Sequence, residues 1–105
     1  MIHALVAFGA NLPFGERDAA ETILAAKAAL QAEDIDIVQM SPIYSTPCFP
    51  AGAGPDYANA VAEVNATSCF SEQDVLSALH RIEARFGRER SERWGGRTLD
   101  LDLLA

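Results

Sequence analysis

Cysteine is scarce in this chain: only Cys48 and Cys69 occur among 105 residues. Two are too few for a disulfide framework, and they do not form a Cys-x-x-Cys pair, so free thiols in a reducing compartment are the expectation. Lysine is scarcer still, with Lys27 alone, and no Gly-x-x-x-x-Gly-Lys-Ser/Thr is present. A P-loop nucleotide enzyme is thereby excluded. Positive charge is short overall, with eight Lys+Arg against fifteen Asp+Glu and a formal net charge of −7. That balance argues against a nucleic-acid backbone reader and against attachment to anionic lipid by charge. No apolar run approaches the ~20 residues of a membrane helix. The opening Met1-Ile2-His3-Ala4-Leu5 lacks the basic region of a secretory signal. His3 and His80, the two histidines, have no patterned partner and are assigned no chemistry. These absences leave a single cytoplasmic domain over residues 1–105 that binds neither nucleic acid nor membrane. Its length suffices to bury a core without staples.

The hydrophobic pattern alternates between two periods. Ile2 to Phe8 is a short apolar run that ends at Gly9-Ala10-Asn11, a strand leaving into a turn. Half of the fourteen residues from Ala19 to Ala32 are alanine, and Ile23, Leu24 and Leu30 predict an apolar stripe on a helix. Ile35 to Tyr44 reads as a second strand, broken or edged by Pro42. Thr46 to Pro55 is a loop by its prolines and glycines. Tyr57 to Val64 reads as a third strand, with Val61 and its flanking alanines packing inward. Ser71 starts a second helix, with Asp74 three residues on. Val75, Leu76, Leu79, Ile82 and Phe86 recur at helical spacing before Gly87 ends it. Leu99 to Leu104 is the last strand. The order βαββαβ predicts an α+β, ferredoxin-like arrangement: a four-stranded antiparallel sheet with two helices on one face.

Charge is distributed unevenly along this frame. Residues 1–80 hold ten acids and two bases, Arg17 and Lys27. Residues 81–105 hold five acids and six bases, every one an arginine. Arginine suits forked recognition of phosphate, although a basic run alone also fits a solvated helix face followed by a polar loop. The stretch Thr98-Leu99-Asp100-Leu101-Asp102-Leu103 alternates polar with apolar. In a strand this puts the leucines on the core face and both carboxylates on the other, ~6.5–7 Å apart along the chain. Two readings fit: an ordinary half-buried strand, or a platform for Mg²⁺ that also carries substrate phosphates. Glu83, Gly87-Arg88, Arg90, Arg93-Trp94 and Gly95-Gly96-Arg97 lead straight into Thr98. Guanidinium groups beside a carboxylate pair are what charge neutralisation in phosphoryl transfer requires.

Arg93-Trp94-Gly95-Gly96-Arg97-Thr98-Leu99-Asp100-Leu101-Asp102 resembles the signature of the 6-hydroxymethyl-7,8-dihydropterin pyrophosphokinases, a family of folate-pathway transferases. Phe8-Gly9-Ala10-Asn11-Leu12 is similar to the family's first-strand turn. Ser41-Pro42-Ile43-Tyr44-Ser45-Thr46-Pro47 is similar to its second strand and pterin loop. Asp56-Tyr57-Ala58-Asn59-Ala60 resembles its third-strand entry, and Arg81-Ile82-Glu83 with Gly87-Arg88 resembles its second helix. The resemblance implies transfer of the β,γ-pyrophosphoryl group of ATP to the hydroxymethyl oxygen of the pterin, leaving AMP. It implies that Asp100 and Asp102 hold two Mg²⁺ ions, and that Arg88 and Arg97 neutralise the phosphates as catalytic groups. Arg90, Arg93 and Trp94 would close over ATP as a mobile loop, and Glu83 would help seat it. Thr46, Pro47, Phe49, Tyr57 and Asn59 would line the pterin pocket, with Tyr57 stacking and Asn59 hydrogen-bonding.

The sequence departs from the family pattern in identifiable places. Gly96 stands where proline is usual, and Ala10 where serine is usual. The stretch between Gly87 and Trp94 is one residue short, and the family's later segment, which adds a wall to both pockets, is not in this sequence. Two alternatives to the enzyme stay open: a nucleotide- or pterin-binding remnant without turnover, and a ferredoxin-like module that associates through its sheet. A homo-oligomer is also left open, with one wall supplied by another subunit.

Overall fold

The computed structural model describes residues 2–11, 18–47, 56–87 and 99–105. Cys48, Phe49, Arg88, Arg90, Arg93, Trp94 and Arg97 lie outside the described residues. The elements run β1 (Ile2–Ala10), α1 (Ala19–Ala32), β2 (Ile35–Met40), β3 (Tyr44–Thr46), β4 (Tyr57–Ala66), α2 (Glu72–Arg85) and β5 (Asp100–Leu103). The sheet order is β2-β4-β1-β5, with β3 also paired to β4, and every pairing is antiparallel. This is the expected α+β, ferredoxin-like topology, with the second strand split into β2 and β3.

The split has a local cause. Pro42 has no N–H to give a ladder, and strands tolerate it only at edges and breaks. Ser41 spans the gap: its amide donates to the Val61 carbonyl at 2.8 Å, and its hydroxyl accepts from the Val61 amide at 2.9 Å. β3 then resumes along the same neighbour, with Tyr44 opposite Asn59 and Thr46 opposite Tyr57. A register shift between Ile37 and Gln39 leaves Val38 exposed on the same edge.

Period-two alternation sorts the sheet into a covered and an open face. On β1, Ala4, Val6, Phe8 and Ala10 are buried, and on β4, Ala60, Ala62, Val64 and Ala66 are buried. Helix α1 packs on β1, β2 and β4, while α2 packs on β5 and against α1. Ile23, Ala26 and Leu30 recur at helical spacing and bury the inner face of α1. Val75, Leu79 and Ile82 do the same for α2. Each fully buried leucine or isoleucine contributes about 1.5–3 kcal/mol relative to leaving it in water.

Two expectations about packing are corrected. Leu24 is exposed rather than part of the α1 stripe, because it follows Ile23 by ~100° around the helix. Val61 sits on the open face, because only alternate residues of a strand can face the core and Ala60 and Ala62 do so.

The helix ends follow side-chain chemistry. At α1, the Asp18 carboxylate accepts from the Glu21 amide at 2.8 Å and Glu21 accepts from the Asp18 amide at 3.2 Å, closing a capping box. At α2, the Ser71 hydroxyl accepts from the Asp74 amide, while the Asp74 carboxylate accepts from the Phe70 amide instead of closing the box. Gly87 follows α2 with φ 77°, the left-handed stop that favours glycine.

Candidate active site

The site is built on the open face, from the ends of β1, β3, β4 and β5. Leu99, just before β5, and Leu101 on it are buried and Leu103 packs partly against the core, whereas Asp100 is half-buried and Asp102 exposed. The leucines thus anchor the strand and turn both carboxylates to the uncovered side. The antiparallel ladder sets Asp100 opposite Gly9 and Asp102 opposite Ala7. On its other flank, β1 sets Gly9 opposite Asn59 and Ala7 opposite Val61. Asp100, Gly9, Asn59 and Tyr44 therefore form one transverse row across four strands.

Ala7, Gly9, Tyr57, Asn59, Asp100 and Asp102 line a cleft of about 170 Å³ on this face. Small residues on the central strand make its floor, and polar side chains on the flanking strands make its sides. Among the described lining residues there are two carboxylates and no basic side chain. Like charges so placed repel, and a cation bound between them, or guanidinium groups above them, would lower that cost.

Asn59 is held in a defined orientation. Its Nδ2 donates to the Thr46 hydroxyl at 2.7 Å and approaches the Tyr57 carbonyl at 3.4 Å. With the amide nitrogen committed to β3 and β4, Oδ1 lies on the Gly9 side. A Cβ built on Gly9 would come within 3.5 Å of it. Thr46, Tyr57 and Asn59 are thus brought together, with exposed Pro47 following Thr46.

Glu83 is placed differently. It lies on the buried side of α2, only 3% exposed, and its Oε2 accepts from the Leu101 amide at 2.9 Å. The described lining of the carboxylate cleft does not include it.

Sequence reasoning missed the floor of the cleft. Gly9 and Ala7 carry no reactive group, and only strand pairing places them between the aspartates and Asn59. It also missed a polar cluster elsewhere on the open face. His3 Nε2 meets Glu63 Oε2, and Gln39 Nε2 donates to Glu63 Oε1 at 2.8 Å. These two hydrogen bonds, the histidine's first, hold the Glu63 carboxyl below the usual carboxylate range. Cys69 is a buried free thiol away from the cleft. Among the described residues no helix is long and apolar enough to cross a membrane, and no group of three or more metal-ligating side chains occurs.

Comparison with known proteins is consistent with this geometry. The chain is 38% identical over 104 residues to the 2-amino-4-hydroxy-6-hydroxymethyldihydropteridine pyrophosphokinase of Haemophilus influenzae, covering 99% of this chain and 62% of the relative. It is 41% identical to the enzyme of the same name from Pseudomonas aeruginosa, covering 94% of this chain and 58% of the relative. With the Pseudomonas putida enzyme of that name the identity is 39%, over 98% and 81%. The chain therefore spans about three fifths of the length of the first and second of these relatives. The crystal structure of an unknown protein from Galdieria sulphuraria superposes with a TM-score of 0.50 at 22% identity, over 96% of this chain and 48% of that one, which speaks to the fold alone. Residues 5–105 match the family described as 7,8-dihydro-6-hydroxymethylpterin-pyrophosphokinase, and the chain belongs to that family.

Proposed function

We propose that this chain transfers the β,γ-pyrophosphoryl group of ATP to the hydroxymethyl oxygen of 6-hydroxymethyl-7,8-dihydropterin. The new bond joins that oxygen to Pβ, the Pα–O–Pβ bridge breaks, AMP leaves and the hydroxyl proton is released. The observation that carries this reading is the open-face cleft, in which Asp100 stands across Gly9 from Asn59, with Asp102 and Tyr57 lining the same cleft. One side offers hard oxygen donors and the other an aromatic ring with a fixed amide. These are the chemistries of a phosphate-bearing cation and a flat heterocycle.

Asp100 and Asp102 suit Mg²⁺, which takes one or two carboxylates and completes its shell with water and substrate phosphate. Two such ions are the family expectation; bound here, they would neutralise phosphate oxygens and orient the reacting groups. Arg88 and Arg97 would take up the charge that moves onto the leaving phosphate, and Arg90, Arg93 and Trp94 would cover the nucleotide. Tyr57 would stack on the pterin, and Asn59 Oδ1 would accept from its ring N–H or amino group, with Thr46, Pro47 and Phe49 completing the pocket.

The test is AMP formation from ATP and hydroxymethyldihydropterin in the presence of Mg²⁺. AMP that requires both the pterin and the metal supports the reading. Pterin- and ATP-dependent shifts in melting temperature with no AMP would instead make the chain a binding protein. Absence of both responses would reject the reading.

A further inference from the structure

We propose that Glu83 is a positioning residue for the carboxylate pair, holding β5 by the backbone amide that lies between Asp100 and Asp102. The inference rests on the reading that this pair binds a divalent cation.

A glutamate is among the residues least often found fully inside a protein, and burying its carboxylate is unfavourable unless hydrogen bonds replace water. Glu83 is nevertheless 3% exposed, in the last turns of α2, among buried Leu79, Ile82 and Phe86. Its Oε2 accepts from the Leu101 N–H, itself on a residue 4% exposed. β5 is only four residues long and ends the sheet. On one side it is held by β1, with Asp100 opposite Gly9 and Asp102 opposite Ala7. Among the described residues no strand lies on its other side, and there the Glu83 carboxylate receives the amide that a further strand would otherwise receive. A carboxylate acceptor is stronger than a carbonyl in that role.

The consequence for the site is geometric. Leu101 is the residue whose neighbours on both sides carry the ligand carboxylates. Fixing its amide from α2 fixes the lateral position and twist of the strand at the point where the two side chains diverge. A short edge strand held only by β1 would be freer to twist there, and the two oxygens would sample more separations than a small cation accepts. Partners that orient metal ligands typically matter by 10–100-fold in metal affinity. Glu83 thus acts through Leu101 and not by contact with nucleotide.

Two substitutions separate reach from charge. Glu83→Gln keeps an oxygen at the same reach without the charge; Glu83→Asp keeps the charge but draws the oxygens back by one methylene. In the full chain, the affinity for α,β-methylene ATP is measured by calorimetry with Mn²⁺ and again in EDTA. Exchange of the Leu101 amide is followed by NMR. The expected result is that Glu83→Gln keeps the Mn²⁺-dependent gain in affinity to within about threefold and keeps Leu101 protected. Glu83→Asp loses about tenfold of that gain and exposes Leu101 to exchange. Affinity in EDTA is the same in all three proteins. An equal loss in both variants, no loss in either, or a loss in EDTA overturns the proposal. Should Glu83→Asp fail to fold, Glu83→Leu, which fills the space but offers the Leu101 amide no acceptor, takes its place: loss of the Mn²⁺-dependent gain with Leu101 open to exchange supports the proposal, and retention of the gain overturns it. Asp100→Asn serves as the separate control, since an unchanged Mn²⁺-dependent gain there rejects the cation reading itself.

Discussion

Gly9 lies directly opposite Asp100 in the β1–β5 ladder, and the space above it is where the two halves of the cleft meet. On its other flank Gly9 pairs with Asn59. A side chain at this position would stand between the proposed cation site and the proposed pterin site.

Gly9→Ala is expected to separate folding from binding. The added Cβ would make an ordinary contact, 3.5 Å from Asn59 Oδ1, so the strand can accept it. Alanine is also favoured over glycine inside a strand by roughly 0.5–1 kcal/mol. The variant is therefore expected to melt at the wild-type temperature or slightly above it. Its affinity for hydroxymethylpterin falls by about tenfold, the equivalent of ~1.4 kcal/mol. Melting curves with and without ligand check both halves of this prediction.

Asp100→Asn and Asp102→Asn each remove one anionic oxygen donor while preserving shape. Neither side chain is part of the hydrophobic core, so both variants are expected to fold, which melting curves check. Turnover depends on charge compensation at the phosphates, so AMP formation is expected to fall on the order of 10²–10³-fold in either variant. Rates measured across a Mg²⁺ titration check it. A variant that retains the wild-type rate and Mg²⁺ dependence would remove that aspartate from the site.

How much of this was legible beforehand follows from the range of each interaction. Strand alternation is local, so Thr98 to Leu103 predicts on its own that Asp100 and Asp102 share a face, and the structure has them so. Ser71 and Gly87 likewise mark the limits of α2 through nearest-neighbour chemistry. The same alternation should have turned Val61 outward, but a valine between alanines looks like the core residue when hydrophobicity is read without phase. The break at Pro42 was visible, whereas its repair by the Ser41 hydroxyl was not, because Val61 lies on another strand. Gly9 as a floor, Glu83 on Leu101 and His3 on Glu63 all need distant segments brought side by side. Glu83 could be assigned from sequence only by resemblance, which points toward ATP. Its buried hydrogen bond to the strand carrying the aspartates is visible only in the fold.

Thr46→Val tests whether the Asn59 amide must be fixed. Valine keeps the shape of threonine and removes the oxygen that accepts from Asn59 Nδ2 at 2.7 Å. The remaining partner, the Tyr57 carbonyl at 3.4 Å, is too long to hold the amide alone. Losing one hydrogen bond of this kind costs about 0.5–1.5 kcal/mol. A stability loss of that size is expected, together with a pterin dissociation constant raised by about three- to tenfold. Titration of the pterin by its fluorescence checks the second effect. Unchanged affinity would mean that ligand, not Thr46, orients Asn59.

Glu63 offers a pH test away from the cleft. His3, then Gln39, holds its carboxyl below the ordinary glutamate value of about 4.3 in the folded chain. A carboxyl lowered by folding contributes stability at pH values above its unfolded pKa. That contribution fades as pH falls through the folded value, where both states are protonated. Wild type is therefore expected to melt above Glu63→Gln at pH 6, with the gap closing as pH drops below about 4. Glu63 is half-buried and its partner His3 mostly exposed, so solvent screens the contact and the gap is small. Paired melting curves between pH 3 and pH 6 check the sign. A gap that stays constant through pH 3 would show that Glu63 contributes by packing, not through its ionised carboxylate.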